Sequence, residues 1–271
     1  MIQVFSTPEL LADGVARHVA ECAEEAISKT GRFTVALSGG STPEAAYRRL
    51  ATGDFSHELD WGRTHVLWGD ERSVPPDDPR SNYRMAKESL LDRVPIPAEN
   101  VHRIRGEDQP EKAAAEYERE VRALCHPERS EGSLGRPPRD SRDPSLALRM
   151  TGGAADAPDL VLLGLGEDGH TASLFPGQPA VRESERWVVA VLDPDGELWR
   201  VTLTPPILNA AHNVAFVVSG GSKAAPLRQV LEGPFTPDLL PAQAIRPVHG
   251  RITWLTDEAA AGELRTQRAS T

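Results

Sequence analysis

Residues 159–177, DLVLLGLGEDGHTASLFPG, contain the side chains best suited to chemistry. His170 follows an apolar run and a short glycine-rich turn. Imidazole titrates near neutrality, so it can take a proton from water and return it to a leaving oxygen. Asp168, two residues earlier, is placed to orient the ring. Gly164, Gly166 and Gly169 also fit G-x-G-x-x-G behind an apolar run, the fingerprint of a dinucleotide site. That site needs a long crossover helix after its third glycine. Here Pro176, Gly177 and Pro179 stop any helix after about two turns. Asp193 lies near the distance expected of a ribose-binding acid, so spacing alone leaves both readings open. The missing helix weighs toward His170.

Three further loops carry groups that hold anions. LSGGSTP (37–43) joins a strand end, two glycines and a helix start, so several N–H groups and the positive end of a helix dipole converge. Ser38, Gly39 and Gly40 let the backbone approach a phosphate, and Ser41 and Thr42 add hydroxyl donors. The G-K-[ST] ending of a Walker loop is absent, which disfavours nucleoside triphosphate chemistry. WGDERSV (68–74) offers Arg72 as a fork for phosphate or carboxylate, with Asp70 and Glu71 to position it. SGGSKAAPL (219–227) repeats the first loop's logic and adds Lys223. Arg200 opens RVTLT (200–204). Each of these also reads, alone, as a plain turn or a solvated charge. Together they give one phosphate cradle, three cations and one base.

The elements that must position them alternate strand and helix, which argues for a Rossmann-like α/β fold: a mostly parallel sheet flanked by helices. Helices are expected over 8–29, 43–50, 81–91, 109–124 and 257–265. A Ser6/Glu9 capping box starts the first, Gly31 stops it, Thr42 caps the second and Thr256 the last. Strands are expected at FTVAL (33–37), THVLW (64–68), NVHRI (100–104), DLVLLG (159–164), RWVVAVL (186–192), RVTLT (200–204), NVAFVVSG (213–220) and RITWL (251–255), with GDER as a turn. Loops after parallel strands fall on one edge of such a sheet, where open α/β folds place their ligands.

One domain of 271 residues accommodates all of this. Residues 125–153 break the pattern: rich in Pro, Gly, Ser and Arg and without an aromatic residue, they read as a disordered insertion on a surface loop. A net charge of −10 argues against nucleic-acid binding, which rests on neutralising phosphates, but not against one small anion held by aimed cations. Two cysteines give neither a disulfide framework nor a metal pattern, so a reducing compartment is expected. No signal peptide or membrane-length apolar run is visible.

In this order the loops resemble those of the 6-phosphogluconolactonases. The matching stretches are ALSGGSTP, WGDERSVPPDDPRSNYRMAKESLL, LVLLGLGEDGHTASLFPG, RVTLTPPILNAAHNVAFVVSGGSKA and LPAQAIRP, covering nearly all of the chain except 125–153. The related glucosamine-6-phosphate deaminases share a D-G-H loop, but theirs is followed by an I-A-F-N-E-P-like run, and D-E-Y stands where this chain has DER. The resemblance implies a cytoplasmic hydrolase of 6-phospho-D-glucono-1,5-lactone in the oxidative pentose phosphate pathway, without metal or organic cofactor. It implies His170 as general base beside Asp168. It also places Arg72 and the SGGST loop at the phosphate, and Asp70, Gly169, Arg200 and Lys223 nearby in less defined roles. Partners are then a small sugar phosphate, no nucleic acid and no membrane, for a monomer or small homo-oligomer. A sugar-phosphate deaminase or isomerase, and a non-catalytic sugar-phosphate sensor, are the rivals on the same scaffold.

Overall fold

The structure, a computed structural model, describes residues 1–125 and 157–265. The insertion expected at 125–153 lies outside the described residues, apart from Cys125 at its edge.

A six-stranded, wholly parallel sheet forms the centre, in the order β1-β9-β8-β5-β2-β3. Its members are β1 (Ile2–Phe5), β2 (Phe33–Leu37), β3 (Thr64–Trp68), β5 (Leu160–Leu163), β8 (Asn213–Val218) and β9 (Arg251–Asp257). The inner strands read as unbroken apolar runs because helices cover both faces; every residue of FTVAL and LVLL is buried. The chain leaves β2 toward β3 on one side, and leaves β5 toward β8 on the other. That reversal opens a crevice beyond the carboxyl ends of β2 and β5, where the SGG and D-G-H loops stand.

Helix α1 (Pro8–Thr30) buries Leu11, Val15 and Val19 along one stripe and ends on left-handed Gly31, whose N–H bonds to Ile27 O at 2.9 Å. Its cap is Thr7, whose Oγ1 accepts from Leu10 N–H, rather than Ser6: Pro8 takes the first helical position and fixes the register one residue later. Helix α2 (Ser41–Leu50) starts at Ser41 with Gly40 as the capping residue and no side-chain cap, so Thr42 lies inside the helix. Short α3 (Gly53–Ser56) follows. Helix α4 (Asn82–Ser89) is shorter than expected, capped by Ser81 and ending before a 3-10 turn at Leu91–Arg93. Helix α5 (Pro110–Cys125) buries Ala113, Tyr117, Val121 and Cys125 at helical spacing.

A second sheet departs from the expected single one. Strands β4 (Asp70–Arg72), β7 (Trp199–Leu203) and β6 (Val188–Leu192) form an antiparallel sheet in the order β4-β7-β6, with α5 packed on β6 and β7. The D-E-R run is thus a strand and not a turn. Only Gly69 separates it from β3, and Gly69 N–H still bonds to Leu37 O at 2.8 Å as the chain crosses between sheets. NVHRI contributes a single bridge, Val66 to Val101, and no strand. Near the carboxyl end, β9 runs through Asp257, and no helix follows among the described residues. Thr256 is paired with Val4 and Val218 inside the sheet and cannot cap a helix; Asp257 accepts from Ala260 N–H in its place, as well as from Ser219 Oγ and Gly220 N–H. Helices α6 (Pro205–Ala210) and α7 (Ala224–Glu232) complete the layers. No helix among the described residues is long and apolar enough to cross a membrane.

Candidate active site

A cleft of about 230 Å³ opens where the two sheets face each other, at the carboxyl ends of β2 and β5. Ser38, Gly39, Gly40, Asp70, Arg72, His170, Arg200 and Lys223 all line it, although they span most of the chain.

The His170 ring is held from one side. Asp168 Oδ1 bonds to Nδ1 at 2.6 Å and to the His170 backbone N–H at 3.0 Å. Nδ1 is then the protonated nitrogen and Nε2 keeps its lone pair. Burial pushes the Asp168 carboxyl up, but the His170 N–H and ring outweigh it and leave Asp168 below the ordinary aspartate range. The turn is closed by Gly169 N–H on Gly166 O and Gly166 N–H on His170 O. A Cβ on Gly166 would lie 2.1 Å from His170 Nδ1, so this glycine makes room for the His–Asp pair and not for a pyrophosphate. No long helix follows: only a bridge between Thr171 and Leu174 and a 3-10 turn at Pro179–Arg182. Asp168 and Gly169 do not themselves line the cleft; Asp168 reaches it through the ring, and Gly169 supplies a φ of +80 beside Leu240.

Two arginines and a lysine gather elsewhere on the cleft wall. Arg72 and Arg200 sit directly across from each other on β4 and β7, an arrangement of like charges that is unfavourable by itself. Each guanidinium has a buried Nε–H without a hydrogen-bond partner. Burial lowers the Arg200 pKa and the Arg72 charge lowers it further, against the pull of Asp70 and Asp193. Arg72 is braced by Nη1 on Arg80 O at 2.6 Å, and Arg200 lies over the Phe175 ring, which also packs against His170. Ser38 Oγ is the third buried and partnerless polar atom among the residues lining the cleft. At the start of α2 Pro43 has no N–H and Glu44 N–H already bonds to Gly40 O, so the N–H groups of Ser41 and Thr42 are those left over. The Ser41 and Thr42 side chains stay outside the cleft lining. Lys223 Nζ enters from the loop before α7, 3.9 Å from Glu167.

Asp70 is buried and ties the walls together: Ser173 Oγ donates to its Oδ2 at 2.7 Å, while Asn82 Nδ2 donates to its backbone carbonyl at 2.9 Å. Asn82 is a cleft residue that sequence reasoning missed, because it sits at a helix start and not after a strand. The signal was present as Ser81-Asn82 downstream of D-E-R. Glu71 is the device that places it. Its buried carboxylate accepts from the N–H groups of Asn82 and Tyr83 and from Ser81 Oγ; burial raises its pKa against those bonds. Gly39 is required by the same packing, since a Cβ there would lie 2.0 Å from Asn82 Oδ1. Among the described residues no group of three or more His, Cys, Asp or Glu is placed to hold a metal ion.

Such a cleft can hold a small anion at one end and activate water at the other. The sequence pattern of the family described as glucosamine-6-phosphate isomerases/6-phosphogluconolactonase matches residues 6–254. The chain is 41% identical over 243 residues to the 6-phosphogluconolactonase of Nostoc sp. PCC 7120, covering 89% of this chain and 88% of that protein. It is 37% identical over 263 residues to a probable chloroplastic 6-phosphogluconolactonase of Oryza sativa, covering 96% and 75%. The solved structure of 6-phosphogluconolactonase from Trypanosoma brucei matches with a TM-score of 0.77 at 29% identity, covering 97% of this chain and 98% of that one.

Proposed function

As this chain belongs to the glucosamine-6-phosphate isomerase/6-phosphogluconolactonase family, we propose that it hydrolyses 6-phospho-D-glucono-1,5-lactone to 6-phospho-D-gluconate in the oxidative pentose phosphate pathway, with His170 as the general base. One observation carries the assignment of roles: three buried polar atoms without partners, Ser38 Oγ, Arg72 Nε and Arg200 Nε, belong to residues that line the same cleft as an imidazole held by a carboxylate. Buried donors are rarely left unpaired unless a ligand completes them.

In this reading the phosphate lies on the Arg72, Arg200 and SGG side, with Lys223 at the rim. Its binding energy is remote from the reacting bond and holds the lactone carbonyl against the base. His170 Nε2 takes a proton from water as its oxygen attacks C1. The tetrahedral oxyanion is stabilised by N–H donors of the cleft. Collapse breaks the bond between C1 and the ring oxygen, and the imidazolium returns its proton to that departing oxygen on C5. The carboxylic acid formed then ionises. No side-chain nucleophile is needed, and the G-x-S-x-G elbow of serine hydrolases is absent. The same reading sets the protein in the cytoplasm, as a monomer or small homo-oligomer acting on a small sugar phosphate; both cysteines are buried outside any disulfide, which suits a reducing milieu.

The test is the disappearance of freshly generated 6-phosphogluconolactone above its spontaneous hydrolysis. His170→Ala should lower kcat by about 10²–10⁴ while 6-phosphogluconate still binds. Near-normal turnover by that variant removes His170 from the reaction. Ammonia release from glucosamine 6-phosphate would instead align the chain with the isomerases of its family.

A further inference from the structure

Ser38 is the first residue past β2, where the chain leaves the sheet and its main-chain groups lose their ladder partners. A single side chain replaces both. The Tyr47 hydroxyl accepts from Ser38 N–H at 2.9 Å and donates to Ser38 C=O at 2.9 Å. Tyr47 is 1% exposed and lies on α2, the helix that this loop opens, so the helix closes back on its own leading turn. The residues after Ser38 are Gly39 and Gly40, the least restrained kind of backbone. A loose glycine loop gives up conformational freedom when a ligand orders it, and that loss appears as weaker binding. Anchoring the Ser38 main chain also fixes its partnerless Oγ on the cleft wall.

An identical bond pair ends the neighbouring strand. The Tyr117 hydroxyl, from α5, accepts from Trp68 N–H at 2.7 Å and donates to Trp68 C=O at 3.0 Å. Tyr117 is 2% exposed. Trp68, however, does not line the cleft. The molecule therefore contains its own comparison: the same bonds at similar burial, ahead of the two-glycine loop in one case and ahead of Gly69 and the paired strand β4 in the other.

We infer that Tyr47 is a positioning residue for phosphate binding, its hydroxyl holding Ser38, Gly39 and Gly40 in the anion-receiving form before substrate arrives. The inference rests on the reading of the cleft given above. Tyr47→Phe and Tyr117→Phe are compared by thermal unfolding, lactone turnover and inhibition by 6-phosphogluconate. Both should lose similar thermal stability. Tyr47→Phe should raise KM and the product inhibition constant about tenfold, with kcat within about twofold; Tyr117→Phe, whose Trp68 is followed by the ladder-bonded strand β4 and not by two glycines, should change all three by less than about threefold. Equal KM values in the two variants would overturn the inference. Amide hydrogen exchange of the wild type gives a second measurement that needs neither a folded variant nor the lactone. The Ser38 N–H should exchange slowly without ligand and change less than about twofold with inorganic phosphate. Protection that develops only with phosphate would mean that the ligand, and not Tyr47, orders the loop. Absence of lactone turnover by the wild type would reject the substrate, while this exchange result would still decide the role of Tyr47.

Discussion

His170 owes its orientation to two neighbours with opposite demands on space. Asp168 grips Nδ1, and Gly166 has no Cβ to collide with either side chain. Asp168→Asn separates geometry from tautomer. The carboxamide can still bond to the ring, but as a donor it moves the imidazole proton to Nε2, the nitrogen proposed to take the water's proton. The expected outcome is a fall in kcat of about 10²–10⁴ with KM little changed, read from steady-state kinetics. The same substitution has a pH signature. A carboxyl lowered on folding stabilises the native state above its unfolded value, and that contribution is lost as pH falls through the folded value. Wild-type stability should therefore decline more steeply than that of Asp168→Asn in acid below about pH 4. Parallel declines in denaturant titrations across that range would contradict the lowered value.

Among the elements, α2 depends on a constrained leading loop. Gly40 has φ +108 and ψ 162, a region closed to side-chain-bearing residues, yet a Cβ there would meet only Pro43 Cδ at 3.8 Å. The restriction is thus in the backbone and not in packing. Gly40→Ala should cost about 1–3 kcal/mol of unfolding free energy in urea. Gly53→Ala, at an open position without positive φ, should cost almost nothing. Equal costs would mean that the loop relaxes freely out of its observed form. The short strand β4 carries comparable weight: three residues place Arg72 opposite Arg200, Asp70 against Ser173, and Glu71 at the start of α4.

Over the whole molecule, the net charge of −10 coexists with a cleft that gathers Arg72, Arg200 and Lys223. Acidic surroundings do not prevent anion binding when cations are aimed at one point and partly desolvated. The two sheets meet at that point, so a bound anion should couple them. With 6-phosphogluconate at 100 times its Kd, unfolding free energy should rise by about 2.7 kcal/mol. Replacing both Arg72 and Arg200 with Ala should abolish the rise at the same ligand concentration, whereas His170→Ala should keep it. A rise that persists in the double arginine variant would move the anion to another part of the surface.

The sequence by itself determined the parallel sheet, because apolar runs such as FTVAL and LVLL have only one way to bury both faces. It also determined the local turns. Two glycines before a helix, and Gly166 two residues before Asp168 with Gly169 between Asp168 and His170, act through bonds between near neighbours. The loops lay on a common edge for the same reason, since parallel strands all end there. Tertiary structure decided what long-range partners impose. It turned D-E-R into a strand by giving it β7 to pair with, and set Arg72 opposite Arg200 across more than a hundred residues. It brought Asn82 into the cleft through Glu71 and Asp70, and used Asp257 to hold a turn where a helix was expected. A two-residue motif carries its own geometry, but an antiparallel pairing or a buried carboxylate's set of donors exists only once distant segments have met.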